Sequence, residues 1–118
     1  MTDLQALRAY LGSKPGAVED YPFGPQPLVM KVGGKMFALL AADATPPQIS
    51  LKCEPAHAQF LRDSFAAVQP GYHLNKEHWN TVTLDGSVPD EGVRAMIDDS
   101  YRLVVGGLSQ AARGRLAE

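Results

Sequence analysis

Two adjacent glycines between apolar runs constrain the fold of this chain more than any other feature. Gly33 and Gly34 separate the run Leu28-Val29-Met30-Lys31-Val32 from the run Lys35-Met36-Phe37-Ala38-Leu39-Leu40. A two-residue connection between strands needs positive φ angles, which glycine adopts without steric cost. The pattern therefore predicts a β-hairpin in which Val32 pairs with Lys35, Lys31 with Met36 and Met30 with Phe37.

This pairing divides the hairpin side chains between two faces, because cross-strand partners share a face. The bulkier set, which we expect in the core, is Leu28, Met30, Phe37 and Leu39. Alternation along the later strands predicts that Ile49, Leu51 and Cys53 also point inward. The opposite face of the sheet is then expected to carry Val29, Lys31, Met36, Ala38, Ser50, Lys52, Trp79, Thr81 and Thr83.

Helical signals precede, interrupt and follow these strands. Thr2 is a candidate N-cap for a first helix, Pro55 suits the first turn of a second, and Pro89 precedes a long third helix. Ser109 can cap a short last helix. The sequence predicts one α+β domain over residues 1–118. It is a two-layer sandwich with helices packed on one face of an antiparallel sheet, in the order α-β-β-β-α-β-β-α.

Composition excludes several classes of protein. A single Cys among 118 residues makes neither an internal disulfide nor a cysteine-rich zinc site. The net charge of −2 gives no strong field toward nucleic acid or an anionic membrane. The N-terminus does not match a signal peptide, and no apolar run approaches the roughly 20 residues that cross a bilayer. We expect a cytoplasmic protein without a membrane segment.

Few residues suggest catalysis. Cys53 ends a strand predicted to be buried, which favours a structural thiol over a reactive one. Asp98 and Asp99 are sequence neighbours on a helix, so they do not converge as an acid–base pair. His73 and His78 do not have helical metal-ligand spacing. We therefore expect a non-enzymatic protein with no metal and no cofactor, and keep a small-molecule or metal site at the two histidines as a third hypothesis.

The segment from Pro70 to Thr81 concentrates polar and aromatic residues. It holds two His, two Asn, a Lys, a Trp and a Tyr within twelve positions. This mixture suits a surface that stacks on bases and contacts phosphates. It equally suits a core edge filled by Trp79, with Asn75 and Asn80 satisfying the loop backbone. The residues alone leave both interpretations open.

Five sequence blocks resemble one known family. They are Tyr21-Pro22-Phe23-Gly24, the stretch 31–38, Ile49-Ser50-Leu51-Lys52-Cys53, the stretch 70–82 and Ser100-Tyr101-Arg102-Leu103-Val104. In this order they resemble the MmcQ/YjbR family of small bacterial proteins. The resemblance implies a frataxin-like (CyaY-like) or secretion-chaperone-like α/β sandwich. It also implies the DNA-binding, double-wing role predicted for members of that family.

Two functions follow as hypotheses. The first is DNA binding by the exposed sheet face and the Tyr72–Asn80 segment, since no Asp or Glu falls between Tyr21 and Ala42. The candidate nucleic-acid-binding residues are Lys31, Lys35, Lys52, His73, Asn75, Lys76, His78, Trp79 and Asn80, although the hairpin pairing turns Lys35 toward the helix side. The alternative is a protein-interaction or chaperone-like dimeric module that uses the same face for a protein partner or a second copy.

Overall fold

A computed structural model describes residues 3–71 and 74–116. Its helices and strands are α1 (Leu4–Gly12), β1 (Val18–Asp20), β2 (Leu28–Val32), β3 (Lys35–Ala41), β4 (Gln48–Lys52), α2 (Pro55–Ser64), β5 (Val68–Pro70), β6 (Trp79–Thr83), α3 (Asp90–Gly106) and α4 (Gln110–Leu116). The predicted α+β class and the order helix, strands, helix, strands, helix are confirmed. The structure adds the short edge strand β1, and α4 follows α3 directly.

The strands form one antiparallel sheet of six in the order β1-β2-β3-β4-β6-β5. The predicted hairpin joins β2 to β3. Gly33 and Gly34 have φ angles of +59° and +80°, which L-residues with side chains rarely adopt. A Cβ at Gly33 would also meet the side chain of Leu108. The turn therefore requires glycine for its backbone and for the packing of the segment after α3.

A β-bulge at Phe37 changes the predicted hairpin register. Val32 pairs with Lys35 and Lys31 with Met36, but Met30 then pairs with Ala38, not Phe37. Phe37 is the extra residue, and both Phe37 and Ala38 are fully buried. The prediction that Ala38 lies on the exposed face and Leu39 in the core was wrong, because the bulge moves every later side chain of β3 to the opposite face.

All four helices lie on one face of the sheet. The apolar residues of α1, α2 and α3 form a single core with the strands, as expected for two layers. Its largest fully buried side chains are Phe37, Leu11, Met30, Leu40, Ile49 and Ile97. The sheet face opposite the helices is called the open face below.

The helix ends follow local chemistry. Asp3 is the N-cap of α1, where its carboxylate accepts from the backbone N–H of Gln5 at 2.9 Å and of Ala6 at 3.3 Å. Thr2, the predicted cap, lies outside the described residues. The first turn of α3 carries Asp90 and Glu91, where the helix dipole favours negative charge.

Candidate functional site

A groove of about 550 Å³ occupies the open face. It lies over β3, β4 and β6 and is bounded by the connector between β1 and β2 and by the turn before β6. Its apolar lining is Phe23, Pro27, Met36, Leu39, Ala41 and Leu74. Its polar lining is Gln26, Asp43, Gln48, Ser50 and Thr81. Among these described lining residues, Asp43 is the only ionisable one.

The bulge at Phe37 builds the floor of this groove. Because the register shifts there, Leu39 faces the groove instead of the helices. The ladder between β3 and β4 ends at the pair of Ala38 with Leu51, next to the bulge, and α3 supplies a partner for the backbone groups that follow. Ser100 is fully buried, and its hydroxyl accepts from the Lys52 N–H at 2.9 Å and donates to the Phe37 carbonyl at 2.5 Å. One side chain thus satisfies the buried carbonyl of Phe37 and the partly buried N–H of Lys52.

The connector forms the wall nearest β3. The backbone N–H of Ala42 donates to Gln26 Oε1 at 3.3 Å, which ties the connector to the end of β3. Phe23 stands at the rim with 69% of its surface exposed. Tyr21, in the same connector, is tied to α1 through Glu19, whose carboxylate accepts from the Tyr21 hydroxyl at 3.1 Å and from Arg8 Nε at 2.8 Å. Tyr21 and Phe23 belong to one of the five blocks that carry the family resemblance, and no binding role was predicted for either residue.

The turn before β6 forms the opposite wall. Asn75 Oδ1 accepts from the backbone N–H of Glu77 at 2.9 Å and of His78 at 3.2 Å, as in an Asx turn. Arg62 of α2 holds the same turn from behind. Its guanidinium donates to the carbonyl oxygens of Lys76 and Trp79. These bonds fix Leu74 and the rest of the turn relative to the sheet.

Hydroxyl and amide groups continue across the open face beyond the apolar wall. Ser50 and Thr81 are cross-strand partners, and their hydroxyl oxygens lie 2.8 Å apart. A second cavity of about 300 Å³ is lined by Gln48, Gln69, Pro70, Thr81 and Thr83. The predictions that Met36, Ser50, Thr81 and Thr83 lie on this face are confirmed. Gln48 was missed, although its alternation with Ser50 in the sequence was a usable signal.

One predicted contact residue, Asn80, does not lie on the open face. Asn80 is buried on the helix side, where it accepts from Arg62 Nε at 2.7 Å and donates to the Ala58 carbonyl at 3.3 Å. Its role as a contact residue was therefore wrong. Strand alternation in fact groups Asn80 with the inward-facing Val82.

Two of the lysines predicted to contact nucleic acid, Lys35 and Lys31, have partners within the chain. Lys35 lies on the helix side, where its ammonium donates to the carbonyl of Gly107 at 3.3 Å, at the C-terminal end of α3. That position suits a cation because of the helix dipole, and it removes Lys35 from the open face. Lys31 remains on the open face, but its Nζ lies 2.7 Å from Asp20 Oδ2, so its charge is locally balanced.

The remaining candidates lie near one end of β4 and β6. Lys52 pairs with Trp79 across these strands, and both are partly buried. Lys76 and His78 are exposed in the preceding turn, and Asn75 is engaged there with the backbone. His73 lies outside the described residues. The structure thus brings Lys52 and Trp79 together, with Lys76 and His78 in the adjoining turn.

The thiol of Cys53 lies under the helix layer. It is buried, and burial together with the nearby Asp99 carboxylate raises its pKa above the ordinary value. The Nε2 atom of His57 lies 3.9 Å from Asp99 Oδ2, beyond hydrogen-bond distance. This environment stabilises the neutral thiol and agrees with the structural role that the sequence predicts for it.

Within 3–71 and 74–116, no three His, Cys, Asp or Glu side chains come together in a way that could hold a metal ion. Because His73 is not among them, the hypothesis of a site at His73 and His78 stays a prediction. None of the helices described is both long enough and apolar enough to cross a membrane.

Comparison with known proteins identifies relatives along the whole chain. The YjbR family model matches residues 12–103. YjbR of Escherichia coli K12 is 36% identical over 115 residues, covering 98% of both chains. YbdF of Escherichia coli O157:H7 is 36% identical over 96 residues, covering 81% of this chain and 79% of its own.

Solved structures agree with this relationship. The crystal structure of Deinococcus radiodurans protein DR2400, from family-model domain DUF419, superposes with a TM-score of 0.92 at 39% identity. That match covers 99% of this chain and 89% of the other. A crystal structure from Pseudomonas syringae has a TM-score of 0.76 at 29% identity, covering 86% of this chain and 98% of that one. The sequence resemblance is therefore confirmed, and the chain belongs to the YjbR family.

Proposed function

We propose that this protein is a non-enzymatic binding module whose open face takes an apolar segment of another polypeptide. The observation that carries the proposal is the groove of about 550 Å³, lined by apolar side chains on the side of the sheet that the helices leave bare. Its volume lies in the range of about 300–1,000 Å³ that is typical of binding pockets.

The chemistry of the lining supports binding over catalysis. Acid–base or nucleophilic catalysis needs at least two reactive groups within hydrogen-bond reach. Asp43 is the one ionisable group among the described residues of the lining. The uncharged amides and hydroxyls beside the apolar wall suit a peptide backbone, because they both donate and accept hydrogen bonds.

An exposed aromatic ring at the rim supports a polypeptide partner. Phe23 is 69% exposed beside the groove. Aromatic side chains of this kind are enriched at protein interfaces, where they supply a large contact area. Phe60 is similarly exposed, at 62%, but it lies on α2 in the helix layer. The two phenylalanines therefore make a matched pair for an experiment.

The test is a selection from a random heptapeptide display library against the wild-type protein. Recovered peptides are then measured against Phe23→Lys and Phe60→Lys. We expect peptides with apolar anchors that lose affinity about tenfold or more with Phe23→Lys and keep it with Phe60→Lys. Recovery of no binding peptide, or equal loss with both variants, would contradict the proposal.

A second candidate, weak DNA binding, is supported by one specific observation. Lys52 and Trp79 are cross-strand partners on the open face, and Lys76 and His78 are exposed in the adjoining turn. Two lysines contacting phosphates give a slope of about −1.8 for log K against log salt. We propose to titrate a labelled duplex at low and moderate salt. Affinity that is reduced by Lys52→Gln but not by Lys35→Gln would support this candidate, and absence of binding at low salt would exclude it.

A further inference from the structure

The two cavities of the open face adjoin each other. Both are lined by Gln48 and Thr81, so the apolar groove continues into the second cavity. Together they run from the connector at β3, across β4 and β6, to β5 at the edge of the sheet. The direction of this combined groove is across the strands.

The dimensions of the combined groove set the size of its occupant. Neighbouring strands lie about 4.8 Å apart, so the path from β3 to β5, with the wall at each end, is about 15–20 Å. An extended polypeptide advances about 3.3 Å per residue. The path therefore matches an extended segment of about five residues.

The two halves of the combined groove differ in chemistry. The half near β3 is apolar, with Leu39 and Met36 in its floor and Asp43 beside it. The half near β5 has the Gln69 amide and the Thr83 hydroxyl in its lining. Among the described residues, the Asp43 carboxylate has no ion-pair partner. The Thr83 hydroxyl makes no hydrogen bond to another side chain that the structure describes. A lipid tail or other wholly apolar ligand would bury the polar half without partners.

We infer that the occupant is an extended segment of about five residues, bound across the strands, with an apolar residue at one end followed by Lys or Arg. This inference rests on the proposed function and deepens it. The apolar residue fills the cavity at Leu39, and the second side chain, which points away from the floor of the groove, carries its cation toward the exposed Asp43 at the rim. Side chains of an extended segment alternate, so the third and fifth residues face the hydroxyls and amides toward β5.

The inference is tested with positional-scanning pools of acetylated and amidated pentapeptides, whose ends carry no charge. We expect pools with an apolar first residue and a basic second residue to bind best. Asp43→Asn should weaken these pools about three- to fivefold, as for a partly exposed ion pair. Asp63→Asn, on the exposed side of α2, serves as the matched control and should leave binding unchanged.

Peptide length and the polar half are tested in the same assay. Shortening the best pentapeptide to its first three residues should lower its affinity about tenfold, because the contacts of the last two residues with the groove are lost. Thr83→Val should weaken the pentapeptide but not the tripeptide. Equal affinity of both lengths, together with no effect of Asp43→Asn, would overturn this inference while leaving the proposed function intact. Failure of every pool to bind would count against both.

Discussion

The hydroxyl of Ser100 donates to the carbonyl oxygen of Phe37 at 2.5 Å, and so joins the middle of α3 to the bulge in β3. The Ser100 hydroxyl also accepts from the Lys52 N–H at 2.9 Å. Ser100 therefore bridges β3 and β4 just beyond the last pair of their ladder, Ala38 with Leu51. The bulge in turn directs Leu39 to the open face, so a residue of the helix layer helps to define the groove on the other side.

We expect Ser100→Ala to destabilise the protein by about 2–4 kcal/mol, because it leaves one buried and one partly buried backbone group without this partner. Urea unfolding measures the change. Ser64→Ala is the matched control, since the Ser64 hydroxyl donates to the Phe60 carbonyl within an exposed helical turn. The control should shift stability by less than about 0.5 kcal/mol. Equal effects of both substitutions would contradict the role assigned to Ser100.

This bulge also marks the limit of what the sequence could predict. The glycine pair fixed the turn and the first two residue pairs, because those depend on local backbone conformation. The residue at the shift, Phe37, is hydrogen-bonded through its carbonyl to Ser100, which lies 63 residues away in sequence. No periodicity within the hairpin encodes that contact. Side chains beyond the bulge were therefore assigned to the wrong faces.

The site residues likewise fall into two groups, those placed by local strand alternation and those placed by tertiary contacts. Met36, Ser50, Thr81 and Thr83 were predicted on the open face from strand alternation, which is a local property. The apolar wall that includes Phe23 comes from the connector, whose path over the sheet depends on tertiary contacts such as Gln26 with Ala42. Sequence reasoning therefore found the face, but not the groove in it.

Arg62 is expected to hold the turn that walls the groove. It donates to Asn80 Oδ1 and to two backbone carbonyls of the turn. Arg62→Ala should destabilise the protein by about 1–3 kcal/mol, since hydrogen bonds from a charged donor are lost and Asn80 is left buried. It should also speed amide hydrogen exchange at residues 75–79.

Arg102 provides the control for this substitution. Its side chain is 75% exposed and pairs with Asp99 at i,i+3, a contact of small value. Arg102→Ala should change neither stability by more than about 0.5 kcal/mol nor the exchange of the turn. If Arg62→Ala behaves in the same way, the turn is held by other contacts.

Acid should weaken the contact between α1 and α3. Burial opposes ionisation of Asp98, but hydrogen bonds from Lys14 and Tyr10 outweigh it and hold the pKa of this carboxyl below its ordinary value. A lowered pKa means that the stabilisation is present above the unfolded pKa of about 3.9 and is lost as the pH falls through the folded value.

The corresponding measurement compares wild type with Asp98→Asn in urea across the acid range. The wild type should be the more stable near neutral pH, and the difference should shrink below about pH 4. Lys14→Met should show the same convergence, because it removes the other half of the pair. A difference that does not change with pH would contradict this account.

The thiol of Cys53 should react slowly in the folded protein. It is 6% exposed, and burial followed by the Asp99 carboxylate raises its pKa, so little thiolate forms near neutral pH. Titration with a disulfide reagent should label it slowly in buffer and rapidly in urea. Ser13→Cys in a Cys53→Ala background supplies an exposed thiol for comparison. Equal rates for the two thiols in buffer would contradict the structural role.

Amide chemical-shift mapping tests most directly whether the open face is the binding surface. The probe is the tightest peptide recovered from the display selection, added to the labelled wild-type protein. The account predicts that the largest shifts fall at Leu39, Gln48 and Thr81, the floor of the groove. Shifts confined to the outer surfaces of α2 and α3, with the amides of β3, β4 and β6 unchanged, would contradict it.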